Sequence, residues 1–328
     1  MPSPATIRLG TRASALARTQ TGWVADRLRA AGVDVVIDTI STRGDDRRDV
    51  PIARIGGDGV FVRELEQALL DGRIDAAVHS LKDMPTAETP GLALASVPLR
   101  ATPFDAVVGR TAATLAALPP GARVGTSSIR RVVQVQSVRG DVVVEPLRGN
   151  VDTRLRRLDA GDYDAVILAA AGLERLGLAG RITEILRPPS FWPAVAQGAL
   201  GIQVRADDAT ARAAVAALDH GPSHAAVLAE RGMLAELAGG CLAPIGAWGR
   251  VDDAGRLTLG GCVLDVEEGS RRVRRLVAEE AVDLAALPRA GNHVSQPSQA
   301  GEVGRAVAAR LLAAGAGPML AAMRTRIA

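Results

Sequence analysis

The sequence predicts an α/β protein of two similar units followed by a small α+β segment, and three observations predict it. The chain has 328 residues, too many for one ordinary domain. From the N-terminus to about residue 200, short β-branched runs alternate with helical patterns, the sign of parallel α/β architecture. After Gly221 the pattern changes to one helix and then strand-like stretches joined by tight turns.

Thr6–Leu9 reads as a strand and Ser14–Leu28 as a helix with a serine N-cap. Val33–Ile40 is a second strand, Val62–Leu70 carries apolar positions at helical spacing, and Asp75–Ser80 reads as a buried strand. A second series starts with a strand at Phe104–Val108. Arg123–Gly125 leads into a helix from Ser128, and Asp141–Val144 is a strand. Val151–Asp159 is helical and Asp164–Ala169 is again a strand. Gly198–Val204 with a helix over Asp207–Leu218 forms a late pair that can return the chain to the first sheet. His224–Leu237 is helical; strands follow at Pro244–Val251, Leu257–Val266 and Arg272–Ala278, then a helix at Glu302–Ala314. These elements divide the chain into residues 1–98 with 199–218, residues 103–193, and residues 221–328. The polar stretch 291–299 reads as a surface loop.

Composition narrows the function. Hydrophobic residues are 48% and charged residues 23%, as in globular proteins, while aromatics are only 2%. Such a chain builds its cores from Ala, Val, Leu and Ile, and it lacks rings for a base-stacking platform, so no nucleic-acid partner is expected. The net charge is +3, and Lys82 is the one lysine among the 39 basic residues. No apolar run approaches the ~18–20 residues of a membrane span. The N-terminal Met1–Arg8 lacks the apolar core of a signal peptide. A cytoplasmic chain with no membrane partner and with Cys241 and Cys262 reduced is the expectation.

The densest polar cluster is His79-Ser80-Leu81-Lys82-Asp83-Met84-Pro85-Thr86, where a buried strand ends. Open α/β sheets place ligands at the carboxyl ends of their strands. Asp83 there can handle a proton or stabilise a developing cation; equally, it can cap the turn before Pro85, with Lys82 solvated. Arginines crowd other element ends: Arg12 beside Ser14, Arg130 and Arg131 after Thr126-Ser127-Ser128, Arg148 before Gly149-Asn150, then Arg154 and Arg175. Guanidinium forks match carboxylates, and helix starts favour anions. As a set they suit a small polyanion; singly, each can be a surface residue of an Arg-rich chain. Cys241 follows Gly239-Gly240 in a loop that holds a thiol in a shaped position, unlike Cys262 within its strand. The four histidines have no metal-ligand spacing with either cysteine, and Gly221-Pro222 breaks any helix between His220 and His224, so no metal is expected.

Eight segments in order, among them Gly10-Thr11-Arg12-Ala13-Ser14, Ala77–Pro85, Val124–Arg131, Leu147–Arg154, Ala170–Leu176, Pro193–Ala199 and Gly239–Gly246, make the chain resemble the porphobilinogen deaminases. That resemblance implies two lobes similar to those of periplasmic binding proteins, with the active site between them, plus a small C-terminal α+β domain. It implies a monomer that takes porphobilinogen as substrate. A dipyrromethane cofactor is held by a thioether to Cys241 and acts as primer. Four porphobilinogen units are added with loss of ammonia, and hydroxymethylbilane is released by hydrolysis. Asp83 matches the catalytic carboxylate, which stabilises an azafulvenium cation. Arg12, Ser14, Lys82, Arg130, Arg131, Arg148, Arg154 and Arg175 match positions that hold acetate and propionate groups. Thr126, Ser127, Ser128, Gly149, Asn150 and Gln197 fall in matching ligand-lining segments, and Arg54 and Phe61 in a loop over the cofactor.

The chain departs from the family in that loop, where Arg54 keeps a basic charge but Asp58 reverses one. Ala196 stands where the family usually has glycine, a change expected to stiffen a hinge. A non-catalytic anion receptor is the rival reading for two α/β lobes with arginines, but it has no use for Cys241.

Overall fold

The structure is a computed structural model that describes residues 6–40, 62–237, 243–266, 273–284 and 299–327. Arg54, Asp58, Phe61 and Cys241 lie outside the described residues, as does nearly all of the 291–299 stretch. The described residues fall into two compact units, one built from residues up to 101 with 199–225, the other from 102–198, 226–288 and 297–328.

In the first unit, β1 (Ile7–Arg12) passes into helix α1 (Ala15–Ala30), started by Ser14, whose Oγ accepts from the Ala17 N–H at 3.3 Å. This N-cap satisfies one donor the helix leaves orphaned. Strand β2 (Val35–Ile40) and helix α2 (Arg63–Leu70) follow, then β3 (Ala76–Ser80) and β4 (Leu92–Ser96). A late strand, β10 (Leu200–Arg205), completes a five-stranded sheet in the order β2-β1-β3-β10-β4. The central strand β3 is buried over nearly its whole length because helices cover both faces of the sheet there. Ile7, Leu9, Val78, Ile202 and Val204 face Val24 and Leu28 of α1 and Val215 of a helix over Ala209–Ala216. On the other face Ala77 meets Leu65 and Leu69 of α2.

In the second unit the strands are β5 (Asp105–Gly109), β6 (Arg123–Gly125), β7 (Val143–Glu145), β8 (Ala165–Ala169) and β9 (Glu184–Leu186), ordered β7-β6-β8-β5-β9. Helices α3 (Ile129–Val138), α4 (Val151–Asp159) and the short α5 (Ala170–Arg175) follow β6, β7 and β8. The period-2 alternation assigns Val107 and Ile167 to one core and Ala106, Val108, Val166 and Leu168 to the other. The two five-stranded sheets share one plan, three parallel strands beside an antiparallel one, with the fifth strand outside it. That sets the mixed sheets against the expectation of all-parallel ones. The antiparallel members are β10 and β5, the first strand on each side where the chain changes unit.

Helix α7 (Gly221–Glu236; α6 denotes Ala209–Ala216) begins earlier than the sequence predicts. Pro222 sits in its first turn, where a missing N–H costs nothing, so Gly221-Pro222 starts the helix and does not break it. The second unit ends in an antiparallel sheet of β11 (Ile245–Val251), β12 (Arg256–Val266) and β13 (Val273–Asp283). Helix α8 (Gln299–Ala313) buries Val303, Val307 and Leu311. It runs so close to α7 that a Cβ on Gly304 would lie 2.2 Å from the Ala229 carbonyl oxygen. A final helix, α9 (Ala316–Ile327), was not read from the sequence. Among the described residues no single helix is long and apolar enough to cross a membrane.

Candidate functional site

In the first unit β1 and β3 are parallel neighbours, Leu9 beside Ala76 and Gly10 beside Ala77. Both strands therefore end at the same edge, which brings Arg12 and Ser14 to the edge that carries Lys82 and Asp83. The chain leaves β3 in a short 3-10 turn, Leu81–Asp83. Leu81 and Met84 are buried, at 1% and 8% exposure, and burial of such side chains contributes about 1.5–3 kcal/mol each. The turn is tied further by Leu81 N–H to the Ala199 carbonyl at 3.1 Å and Met84 N–H to the Leu81 carbonyl at 3.2 Å. Lys82 and Asp83, held between these two anchors, stay half-buried. Among the described residues the Asp83 carboxylate makes no hydrogen bond or ion pair. Behind the turn, Gln20 Nε2 of α1 donates to Ser80 Oγ at 2.9 Å, fixing helix to strand end. His79 Nε2 lies 3.1 Å from Gln203 Oε1, and Gln203 donates to Glu66 at 3.0 Å, a buried internal chain.

In the second unit the carboxyl ends of β7, β6 and β8 share one edge, since β6 is parallel to both neighbours. Thr126, Ser127 and Ser128 leave β6 there. Thr126 N–H bonds the Glu145 carbonyl at 2.9 Å, and Ser127 Oγ donates to the Leu147 carbonyl at 2.9 Å, joining this loop to the one after β7. In that loop Arg148 and Asn150 are exposed, and Asn150 stands at the N-cap of α4. The turn needs Gly149, whose φ of 98° a side chain would strain. Arg154, one turn into α4, donates from Nε to the Gly149 carbonyl at 2.8 Å.

The arginines of this edge are cations in excess of anions. Arg130 and Arg131, only 5% and 6% exposed, share one carboxylate, Asp105. Arg175 at the end of α5 donates to the Gly198 carbonyl at 2.7 Å and makes no ion pair among the described residues. Burial lowers its pKa to about 10, with Glu174 opposing. A partly buried guanidinium that makes no close ion pair keeps part of its desolvation cost, and an anionic ligand offsets it. Gln197 reaches the same cluster, its Nε2 donating to the Pro103 carbonyl at 2.8 Å and to Asp105 at 3.1 Å.

Sequence reasoning missed Asp105, Gln134 and Glu230. Asp105 had a signal, an acid inside the apolar strand Phe104–Val108, which calls for a cationic partner. Gln134 holds Trp192 in both directions, its Nε2 donating to the Trp192 carbonyl at 3.0 Å. Glu230 accepts from Ala196 N–H at 2.6 Å and Gly249 N–H at 2.7 Å. Cys262 is a buried thiol that burial pushes up to about 12, a packing residue with no reactive character. His220 accepts the Ser223 N–H at 3.2 Å and His224 pairs with Asp219 at 2.7 Å, so both serve the start of α7.

Ala196 carries a positive φ of 57° and is fully buried. The left-handed conformation costs about 1–2 kcal/mol for a residue with a Cβ, against about 0.8 kcal/mol from a buried methyl and 0.4–1 kcal/mol of unfolded-state entropy that glycine would add. These terms nearly cancel, so Ala196→Gly is expected to leave thermal stability within about 1 kcal/mol of the parent. Ala196→Val, with a β-branch at that φ, is expected to cost more than about 2 kcal/mol. Equal melting of all three proteins would refute this account of the segment.

Two family models match the chain: "Porphobilinogen deaminase, dipyromethane cofactor binding domain" over residues 7–213, and "Porphobilinogen deaminase, C-terminal domain" over residues 224–313. The chain is 47% identical over 284 residues to the porphobilinogen deaminase of Roseiflexus sp. (strain RS-1), covering 86% of this chain and 93% of that one. It is 45% identical over 326 residues to that of Mycolicibacterium paratuberculosis (strain ATCC BAA-968 / K-10), covering 97% and 98%. Among solved structures it is similar to an ABC transporter periplasmic substrate-binding protein from Coxiella burnetii, with 20% identity, coverage of 68% and 94%, and a TM-score of 0.41.

Proposed function

Because the chain belongs to the porphobilinogen deaminase family, we propose that Asp83 is its proton-handling carboxylate and Cys241 its point of cofactor attachment. The protein is a transferase of tetrapyrrole biosynthesis, with a dipyrromethane cofactor, that condenses porphobilinogen into hydroxymethylbilane. The observation that carries the assignment of Asp83 is its placement, half-buried beside the sole lysine and pinned between Leu81 and Met84 at the end of β3.

The residues present fit the cofactor's chemistry. A dipyrromethane and its extension are rich in carboxylates, and the second unit holds guanidiniums that exceed their internal counter-ions. When bound, the dipyrromethane supplies a nucleophilic pyrrole carbon for chain growth. Asp83 accepts pyrrole N–H groups, assists departure of the aminomethyl nitrogen as ammonia, and offsets positive charge that develops on the substrate. Arg12, Ser14 and Lys82, at the Asp83 edge, belong to the set that holds the acetate and propionate groups of substrate and cofactor. Thr126, Ser127, Ser128, Arg130, Arg131, Arg148, Gly149, Asn150, Arg154, Arg175 and Gln197 complete that set in the second unit. Bidentate guanidinium contacts orient each pyrrole as well as bind it. Arg54 and Phe61 belong to the same reading as loop contacts, as does action as a cytoplasmic monomer without nucleic-acid or membrane partners.

Intact mass and peptide mapping test the proposal. The expected result is an addition of two pyrrole units on the peptide that contains Cys241, either as purified or after addition of porphobilinogen. A Cys241 peptide that stays unmodified after porphobilinogen is added refutes the attachment.

A further inference from the structure

Asp105 opens β5 with no exposed surface and accepts from three side chains of the second unit. Arg130 Nη1 donates to Oδ2 at 2.7 Å and also to the Trp192 carbonyl. Arg131 clamps Oδ1 with Nε at 2.9 Å and Nη2 at 2.7 Å, and its Nη1 bonds the Ile167 carbonyl at 2.9 Å. Gln197 Nε2 adds a bond to Oδ1 at 3.1 Å. Burial works to raise the pKa of Asp105, but the two guanidiniums outweigh it and hold the carboxyl well below the usual range. The same burial lowers Arg131, with Asp105 opposing.

Two like charges are thus kept side by side by one carboxylate. Arg130 spends only Nη1 on its partners among the described residues, which leaves the N–H groups of Nε and Nη2 to spare. Without the carboxylate, the guanidiniums repel each other in a medium that screens poorly, and they part or turn. We infer that Asp105 is a positioning residue, setting Arg130 and Arg131 in the one arrangement in which their spare N–H groups meet a pyrrole carboxylate. This inference rests on the reading of those two arginines as carboxylate binders. The opposite outcome is physically defined. If net charge dominated, removal of Asp105 would leave the site more positive and tighten anion binding.

The test is cofactor uptake, read by intact mass as the porphobilinogen concentration that loads half of the apo-protein with two pyrrole units. Asp105→Asn is expected to raise that concentration tenfold or more. Combined with Arg131→Leu it should cost little beyond the worse single variant, because the two substitutions remove the same arrangement. Asp105→Glu keeps the charge and displaces it by one methylene. It guards against loss of folding in the asparagine variant, should melt as a folded apo-protein, and should still need severalfold more porphobilinogen. Uptake at or below the wild-type concentration in a folded Asp105 variant overturns the inference, as do independent, multiplying effects in the double variant. If Arg130→Leu and Arg131→Leu both load normally, the carboxylate reading of the arginines fails and the inference falls with it. If they load poorly and folded Asp105 variants load normally, only the inference falls.

Discussion

Asp83→Asn is expected to slow turnover by about 10²–10⁴-fold, the usual contribution of a positioned acid or base. Asparagine has nearly the same shape and keeps a carbonyl oxygen for pyrrole N–H groups, so substrate binding should change far less than kcat. What it loses is the negative charge that opposes a developing cation and the capacity to carry a proton. Stability should hardly move, since Asp83 is half-buried and makes no hydrogen bond or ion pair among the described residues. The decisive comparison is kcat and KM measured together with a melting curve. Turnover close to wild type would remove Asp83 from the chemistry, and a loss matched by unfolding would make it a structural residue.

Cys241→Ser should reduce turnover to background. A thiol with an ordinary pKa near 8.5 offers appreciable thiolate at neutral pH, whereas a serine hydroxyl offers essentially no alkoxide without an activating base. The variant should fold and lack the colour reaction that dipyrromethanes give with Ehrlich's reagent. Cys262→Ser is the contrasting control. That thiol is fully buried beside Val133, Trp192 and Leu264, so its replacement should lower stability and leave the colour reaction intact. Normal turnover in Cys241→Ser would end the attachment proposal.

Much of the candidate site was legible without coordinates because its signals are local. Lys82 and Asp83 directly follow an apolar strand, and Ser14 precedes a helix pattern as an N-cap. Arg12, Arg148 and Arg154 similarly sit at element ends that a short window of sequence defines. The least legible parts depend on distant partners. Arg130 and Arg131 read as open ligand contacts, yet each is bonded to Asp105, whose third partner, Gln197, is 92 residues away. The conformation of Ala196 is likewise invisible in its own neighbourhood, because Glu230, 34 residues on, takes its N–H.

By itself, then, the sequence determined the alternation of strands and helices, the two α/β lobes with a C-terminal sheet, and the Asp83 turn. Hydrophobic period, capping and turn chemistry act over a few residues, and their record survives in one dimension. Tertiary structure alone decided that β5 and β10 run antiparallel to their neighbours, that Gly221-Pro222 starts a helix, and that one buried carboxylate orders two arginines. Strand direction and charge pairing are settled by which groups must be satisfied together once water is excluded, and those groups meet only when the chain has closed.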